Sequence, residues 1–228
     1  MLAASARAAR AATPRPTLLH RPLATVAPSP TSLADVIKLD ALADKSASEI
    51  ASLWASHHAD AARHRAGTVL AAGDYSTFAS RAAAAPTFVL PLAKPGGGVL
   101  TLVAQVQAPV ALVTTVDEFK AVGSAAPAHV IVTYYPDLAA SKGIVLVRAD
   151  VLGPHVASPE EARIIMDALH RAYVDDAGHA LVRAFNHAPA TFSFDALLSF
   201  FGLGGRGERR KGGRAQGEGG GGGGGKGD

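Results

Sequence analysis

The chain has 228 residues, of which 48% are hydrophobic and 18% charged, so it is long and apolar enough for one domain with a sizeable core. It contains no cysteine, which excludes disulfides, thiol catalysis and thiolate metal sites. The pI of about 9.3 comes from the two ends, because residues 31–201 hold 12 basic and 16 acidic side chains, a net charge of about −4. Since a nucleic-acid-binding protein carries its positive charge on the folded surface, we expect no nucleic-acid partner.

Residues 1–31 are typical of a targeting peptide. They contain four arginines, are rich in alanine, proline and threonine, and precede the first acidic residue, Asp35. This pattern predicts a disordered mitochondrial transit peptide and location in the matrix, with plastid import as the alternative. An untargeted tail rich in alanine and proline is the plainer alternative.

Two helices are predicted before the first strand. Thr31 or Ser32 caps a short one, and Ser46 with Glu49 forms a capping box at the start of the next. The apolar residues of the second helix fall on one face at helical spacing, and they are Ile50, Leu53, Trp54 and Ala61. This face is expected to pack on the sheet.

The next part of the chain predicts a strand or loop at 66–70, a helix at 74–85 and a strand at 88–92. Asp74 is expected to cap the helix and Phe78 to face inward, and Pro86 ends the helix. Pro91 cannot donate to a strand neighbour, which indicates an edge position or a strand end.

Residues 95–116 carry no charge and are numerous enough to span a membrane. Three glycines at 96–98, two glutamines and Pro109 interrupt this stretch, however, and its β-branched content is high. A hairpin of strands Val99–Gln107 and 110–114, lying beside residues 88–92, explains it better. We therefore expect no stable membrane insertion.

A central pair of strands is predicted at 129–135 and Ile144–Val151, joined by one or two helical turns. Neither strand alternates between apolar and polar residues, so both are expected to be covered on both faces. A helix is predicted at Val116–Val122, with Thr115 as its cap, and a second helix is predicted to start at Ser158. Two further helices are predicted at 179–185 and 194–201. The apolar face of the Ser158 helix contains Ile164, Ile165, Leu169, Ala172 and Tyr173.

These elements predict an α+β fold with a single mixed or mostly antiparallel sheet of about five to six strands, covered by helices. The ends are expected to be disordered, since residues 202–228 are mainly glycine with scattered charge. Residues 32–201 therefore form the one predicted domain, and we expect a monomer.

The sequence offers little catalytic chemistry. It has no Gly-x-Ser-x-Gly, His-Glu-x-x-His or phosphate-binding loop, and its adjacent acidic pairs lie at helix ends, where capping explains them. His57, His58 and His64 lack the i, i+4 spacing of a helical zinc site. We predict no catalytic residue, metal or cofactor. The alternative is a small-molecule enzyme of α+β fold that uses His129, Tyr134 or Arg148 in a pocket, and a third possibility is a membrane-surface protein held by its basic tail.

Short blocks of residues follow one another in a specific order along residues 32–201. They are Leu-Asp-x-Leu at Leu39–Leu42, Ile50 with Trp54 and His58, Phe-Val-Leu-Pro-Leu at 88–92, Gln105, Thr115 before Phe119, Ala-Pro-x-His at 126–129, Tyr135 with Leu138, Lys-Gly-Ile-Val-Leu at 142–146, and Phe-Asn at 185–186 before Phe192 and Phe194. In order and spacing, they resemble the mitochondrial ATP synthase F1 assembly factor family, chaperones of the F1 β subunit.

This resemblance implies a non-enzymatic chaperone that binds the free β subunit and shields its α-facing surface until the α subunit displaces it. The hairpin departs from the family pattern, because aliphatic residues such as Leu102, Val103 and Val110 stand where the family has aromatic ones. The contact with the β subunit is expected on the uncharged side at 88–114. The candidate partner-binding residues are Phe88, Leu90, Pro91, Leu102, Gln105, Leu112, Tyr134 and Tyr135.

Overall fold

The computed structural model describes residues 31–204, which form one six-stranded sheet with the strand order β1-β6-β5-β4-β3-β2. Every neighbouring pair is antiparallel. The strands are β1 Arg65–Ala71, β2 Thr87–Ala93, β3 Val99–Gln107, β4 Val110–Thr115, β5 Val130–Tyr135 and β6 Ile144–Val151. The expected α+β class is confirmed, with β2 at a sheet edge as Pro91 indicated.

Eight α-helices and five short 3-10 helices surround the sheet within the described range. The α-helices are α1 Leu33–Val36, α2 Ala47–His57, α3 Ala72–Ala84, α4 Val116–Val122, α5 Ala139–Lys142, α6 Pro159–Val174, α7 Asp176–His187 and α8 Phe194–Phe200. Among residues 31–204, no helix is both long and apolar enough to cross a membrane. The predicted transit peptide and most of the predicted glycine-rich tail lie outside the described residues.

One face of the sheet, the first face, is closed by α3, α6 and α7. Tyr134 of β5 packs against Phe78 of α3, with ring centroids 4.8 Å apart, and against His170 of α6 at 5.7 Å. At the β2 edge, Phe88 meets Phe185 of α7 at 5.9 Å. Burial in this core lowers the pKa of His170 to about 4, so its imidazole is neutral at pH 7.

The opposite face, the second face, is partly closed by α2. Trp54 is fully buried and donates from Nε1 to the Val147 carbonyl of β6 at 2.8 Å. Around it lies a smaller apolar cluster made of Leu33, Leu42, Ile50, Tyr135 and Leu146. Helix α2 thus covers the β1 and β6 side of the second face, with Trp54 as its anchor.

The structure also corrects three local expectations. Helix α3 begins at Ala72 rather than behind a cap at Asp74, because β1 runs straight into it and the Ala72 amide donates to the Gly143 carbonyl. Leu53 and Ile164 were expected on buried helix faces but are 44% and 52% exposed. Each lies about 100° around its helix from the next residue, Trp54 and Ile165 respectively, which is the buried one. Ala61 is exposed in a separate 3-10 helix, because α2 ends at His57.

Helix α2 approaches β1 at a position that has no side chain. A Cβ on Gly67 would lie 2.8 Å from the His58 Nδ1 atom and 2.9 Å from Trp54 Nε1. We predict that Gly67→Ala lowers the free energy of unfolding by about 1–3 kcal/mol, because a methyl group there forces α2 off the sheet. Urea unfolding followed by the fluorescence of Trp54, the single tryptophan, measures this directly.

Gly73→Ala is the matched control. Nothing lies within 4 Å of a Cβ at this position in α3, so the same substitution is expected to raise stability by up to about 1 kcal/mol. Equal effects of the two substitutions would contradict close packing at Gly67.

Candidate partner-binding surface

A row of six side chains crosses the second face, one from each strand. Direct cross-strand pairs link Thr87 to Gln105, Gln105 to Leu112, Leu112 to Ile131, Ile131 to Asp150 and Asp150 to Arg65. Five strand spacings make this cross-strand row about 24 Å long. It is polar at the β2 end, apolar in the middle and charged at the β1 end.

The cross-strand row lies between two covered regions of the second face. On one side is α2, anchored by Trp54. On the other is α4, whose Glu118 accepts hydrogen bonds from the side chains of Thr114 and His129, both of which belong to the second face. Leu112 and Ile131 are directly paired between these helices and are only half-buried. The centre of the row therefore offers apolar surface that a partner can reach.

The structure separates the eight predicted partner-binding residues into two groups. Four belong to the first face and are buried in the core, and they are Phe88, Leu90, Leu102 and Tyr134. The other four belong to the second face, where Pro91, Gln105 and Tyr135 are buried and Leu112 is half-exposed. Partner binding stays a prediction for all eight, and among them Leu112 has the most accessible side chain.

Ile131 was missed by the sequence reasoning. It lies in a strand that was expected to be covered on both faces, and the structure confirms that cover for most of β5 but leaves Ile131 half-exposed. Its importance comes from its register opposite Leu112, which depends on how β4 pairs with β5. Residue composition alone does not specify that pairing.

An ion-pair cluster forms the β1 end of the cross-strand row. The two Asp150 carboxylate oxygens each accept one hydrogen bond at 2.8 Å, from Arg65 Nε and from Arg148 Nε. Arg148 therefore pairs with Asp150 on an interior strand. The Arg148 guanidinium also lies 5.7 Å from the centre of the Tyr135 ring.

His129 and Glu118 form a second polar contact, which ties α4 to the ends of β4 and β5. The Thr115 hydroxyl and then His129 donate to the Glu118 carboxylate, and these bonds lower the pKa of Glu118 to about 2. The backbone carbonyl of His129 accepts from the amides of Leu152 and Gly153. His129 thus holds the strand ends together through hydrogen bonds of both its ring and its backbone carbonyl.

The enzyme alternative placed His129, Tyr134 or Arg148 in a pocket, and the strand register separates two of these residues. Tyr134 pairs with Val147, whereas Arg148 pairs with Thr133, so Tyr134 and Arg148 point to opposite faces. A groove of about 380 Å³ in the described part of the chain is lined instead by Ala79, Ala82, Ala83, Pro86, Val106, Gln107 and Ala108. None of those residues carries a titratable side chain.

Residues 31–204 contain no group of three histidine, cysteine or acidic side chains placed to hold a metal ion. His58, one of three closely spaced histidines in the sequence, is buried and donates from Nδ1 to the Trp54 carbonyl at 2.8 Å. Burial lowers the pKa of His58, so it serves as a neutral packing residue beneath α2.

The Tyr135 hydroxyl is buried and has no hydrogen-bond partner among the described residues. Because an unpaired buried hydroxyl costs free energy, we predict that Tyr135→Phe leaves stability unchanged or raises it by up to about 1 kcal/mol. Tyr173→Phe is the matched control and should destabilise by about 1 kcal/mol or more, since the Tyr173 hydroxyl donates to the Ala85 carbonyl at 2.7 Å. Chemical unfolding of both variants checks this, and equal losses would show that Tyr135 has a partner.

Glu118 should contribute to stability in a pH-dependent way. Because its folded pKa lies below the ordinary value, its contribution is fully present above about pH 4.5 and is lost as the pH falls toward 2. We predict that the difference in unfolding free energy between wild type and Glu118→Gln shrinks as the pH falls from 4.5 to 2. Asp117→Asn, which removes the neighbouring exposed carboxylate, is the control. A difference that does not change below pH 4.5 would contradict this role for Glu118.

The chain is similar in sequence to known proteins. The chain is 26% identical over 189 residues to ATP synthase mitochondrial F1 complex assembly factor 1 of Mus musculus, a match that covers 82% of this chain and 56% of the relative. It is 26% identical over 182 residues to the protein of the same name from Homo sapiens, with 79% and 54% covered. The chain thus spans about half the length of the curated relatives it matches.

A family-level comparison covers more of the chain. The sequence profile of the family described as ATP11 protein matches residues 4–198, which include the whole sheet and the helices on both of its faces. This match extends over well more than half of the chain, in agreement with the family resemblance seen in the sequence blocks. The chain belongs to the ATP11 protein family.

Proposed function

We propose that this protein is a molecular chaperone for assembly of the F1 sector of mitochondrial ATP synthase, and that its client is the free F1 β subunit. The observation that carries the proposal is membership of the ATP11 family, together with two relatives that are both named as F1 complex assembly factors. We further propose that it is not an enzyme, in keeping with the positions of Tyr134 and Arg148 on opposite faces of the sheet.

The proposed mechanism is reversible binding that shields an apolar surface of the β subunit from aggregation. Subunits of an obligate ring expose large apolar interfaces before they assemble, and such surfaces aggregate. The chaperone shields the surface of the β subunit that later faces the α subunit, and α then displaces it because α binds more tightly. The proposed contact is the half-buried centre of the cross-strand row, where Leu112 belongs to the 88–114 side of the sheet and Ile131 to the neighbouring strand β5.

The same proposal includes the cellular setting. Residues 1–31 direct import into the mitochondrial matrix, and the folded domain works there as a monomer without nucleic acid or membrane insertion. A net charge of about −4 for residues 31–201 and an arginine-rich, acid-poor N-terminal segment support this arrangement.

An aggregation assay tests the function. Isolated F1 β subunit is warmed, and light scattering is followed with and without this protein at equal molar ratio, with gel filtration to detect a complex. We expect suppression by wild type and a loss of at least tenfold in apparent affinity for Leu112→Asp, because a charge would be buried at the contact.

Ile164→Asp is the matched control, since Ile164 is 52% exposed on α6, in the helix layer of the first face. Thermal melts of both variants establish that they are folded. If wild type neither suppresses aggregation of the β subunit nor forms a complex with it, the proposed function is overturned. If a folded Leu112→Asp variant binds the β subunit normally, the contact lies elsewhere on the protein.

A further inference from the structure

We propose that the charged end of the cross-strand row, formed by Arg65, Arg148 and Asp150, is a recognition site for a carboxylate side chain of the client. The inference rests on the proposed chaperone function and deepens it, because it specifies which chemistry the client must present beside its apolar contact. It is carried by the hydrogen-bond geometry of the cluster, its charge and its place next to Ile131.

The hydrogen-bond geometry leaves the outer part of each guanidinium group unused. An arginine has five N–H donors, and both arginines bind Asp150 through Nε alone. Within the described part of the chain, the Nη1 and Nη2 groups of Arg148 and Arg65 have no hydrogen-bond acceptor. A carboxylate suits such donors, because guanidinium and carboxylate groups bind each other through two parallel hydrogen bonds.

The charge of the cluster has the sign that an acidic partner requires. Two guanidinium groups and one carboxylate leave one positive charge in excess, on a domain whose residues 31–201 sum to about −4. Arg148 is 9% exposed and the Asp150 side chain 20% exposed, whereas the Arg65 side chain is 44% exposed, so screening by water is weakest on the Arg148 side of the cluster. An incoming carboxylate is therefore attracted more strongly here than at a fully exposed arginine.

The neighbours of the cluster define the spacing of the client's groups. Ile131 lies directly opposite Asp150, and Arg65 is two strand spacings, about 10 Å, from Ile131. An acidic side chain and an apolar side chain about seven residues apart, two turns along one face of a client helix, would span this distance. The site thus fits an amphipathic client segment with an acidic residue on the border of its apolar face.

A purely structural role explains only part of this geometry. The Arg65–Asp150–Arg148 contacts tie β1 to β6, and that tie accounts for the two Nε bonds. It does not require a second arginine, nor does it use the Nη groups. Binding measurements separate the two roles, because a structural tie affects stability and a recognition site affects affinity and its salt dependence.

The test compares the affinity of the full-length protein for isolated F1 β subunit by titration calorimetry at 50 and 300 mM salt. Arg65→Gln and Arg65→Glu are the main variants, since the Arg65 side chain is 44% exposed and its loss leaves the Arg148–Asp150 pair intact. We expect affinity to fall about fivefold for Arg65→Gln and at least twentyfold for Arg65→Glu at low salt. The salt dependence of binding should weaken in both.

Arg183→Gln is the matched control, because Arg183 is an exposed arginine of α7, in the helix layer of the first face, and should bind like wild type. Arg148→Lys keeps the charge but not the paired donors, and it should bind more weakly than wild type. Normal binding by both folded Arg65 variants, with binding still lost in Leu112→Asp, would overturn the carboxylate site and leave the proposed function standing. Absence of binding by wild type would overturn both.

Discussion

The contact between Trp54 and the backbone of β1 and β6 determines how much of the second face is covered. Gly67 lets the indole and the His58 ring lie directly on the strand, and the Trp54 Nε1 hydrogen bond to the Val147 carbonyl fixes α2 there. Because α2 is held over β1 and β6, it does not extend to Leu112 of β4, in the middle of the row. The first face differs, since α3, α6 and α7 close it with large side chains. The asymmetry between the two faces is what leaves an accessible row.

The second boundary of that row depends on a polar contact. Glu118 holds α4 to His129 and Thr114, so α4 covers the far ends of β4 and β5 but not their middle. Between the two helices, neighbouring strands present polar, apolar and charged side chains in register. A chaperone must bind its client firmly enough to prevent aggregation and loosely enough to release it, and a narrow apolar contact flanked by polar groups suits this requirement.

The sequence was most informative where local chemistry decides structure. The capping box at Ser46, the helix that starts behind Ser158, the edge position of β2 at Pro91 and the hairpin of β3 and β4 are all found as predicted. Long-range packing decided the rest. The α3 start depends on a hydrogen bond to Gly143, and the burial of Phe88, Leu90 and Tyr134 depends on which face each residue occupies. The cross-strand row joins residues from 65 to 150, and only the strand order reveals it.

We propose that the client contacts the second face at the centre of the cross-strand row. Site-specific photo-crosslinking tests it most directly, with a benzophenone amino acid placed at position 131 or at position 164 of the full-length protein, mixed with isolated F1 β subunit. We expect a crosslink to β from position 131 and little or none from position 164, which lies in the helix layer of the first face. A crosslink from position 164 with none from position 131 would contradict it.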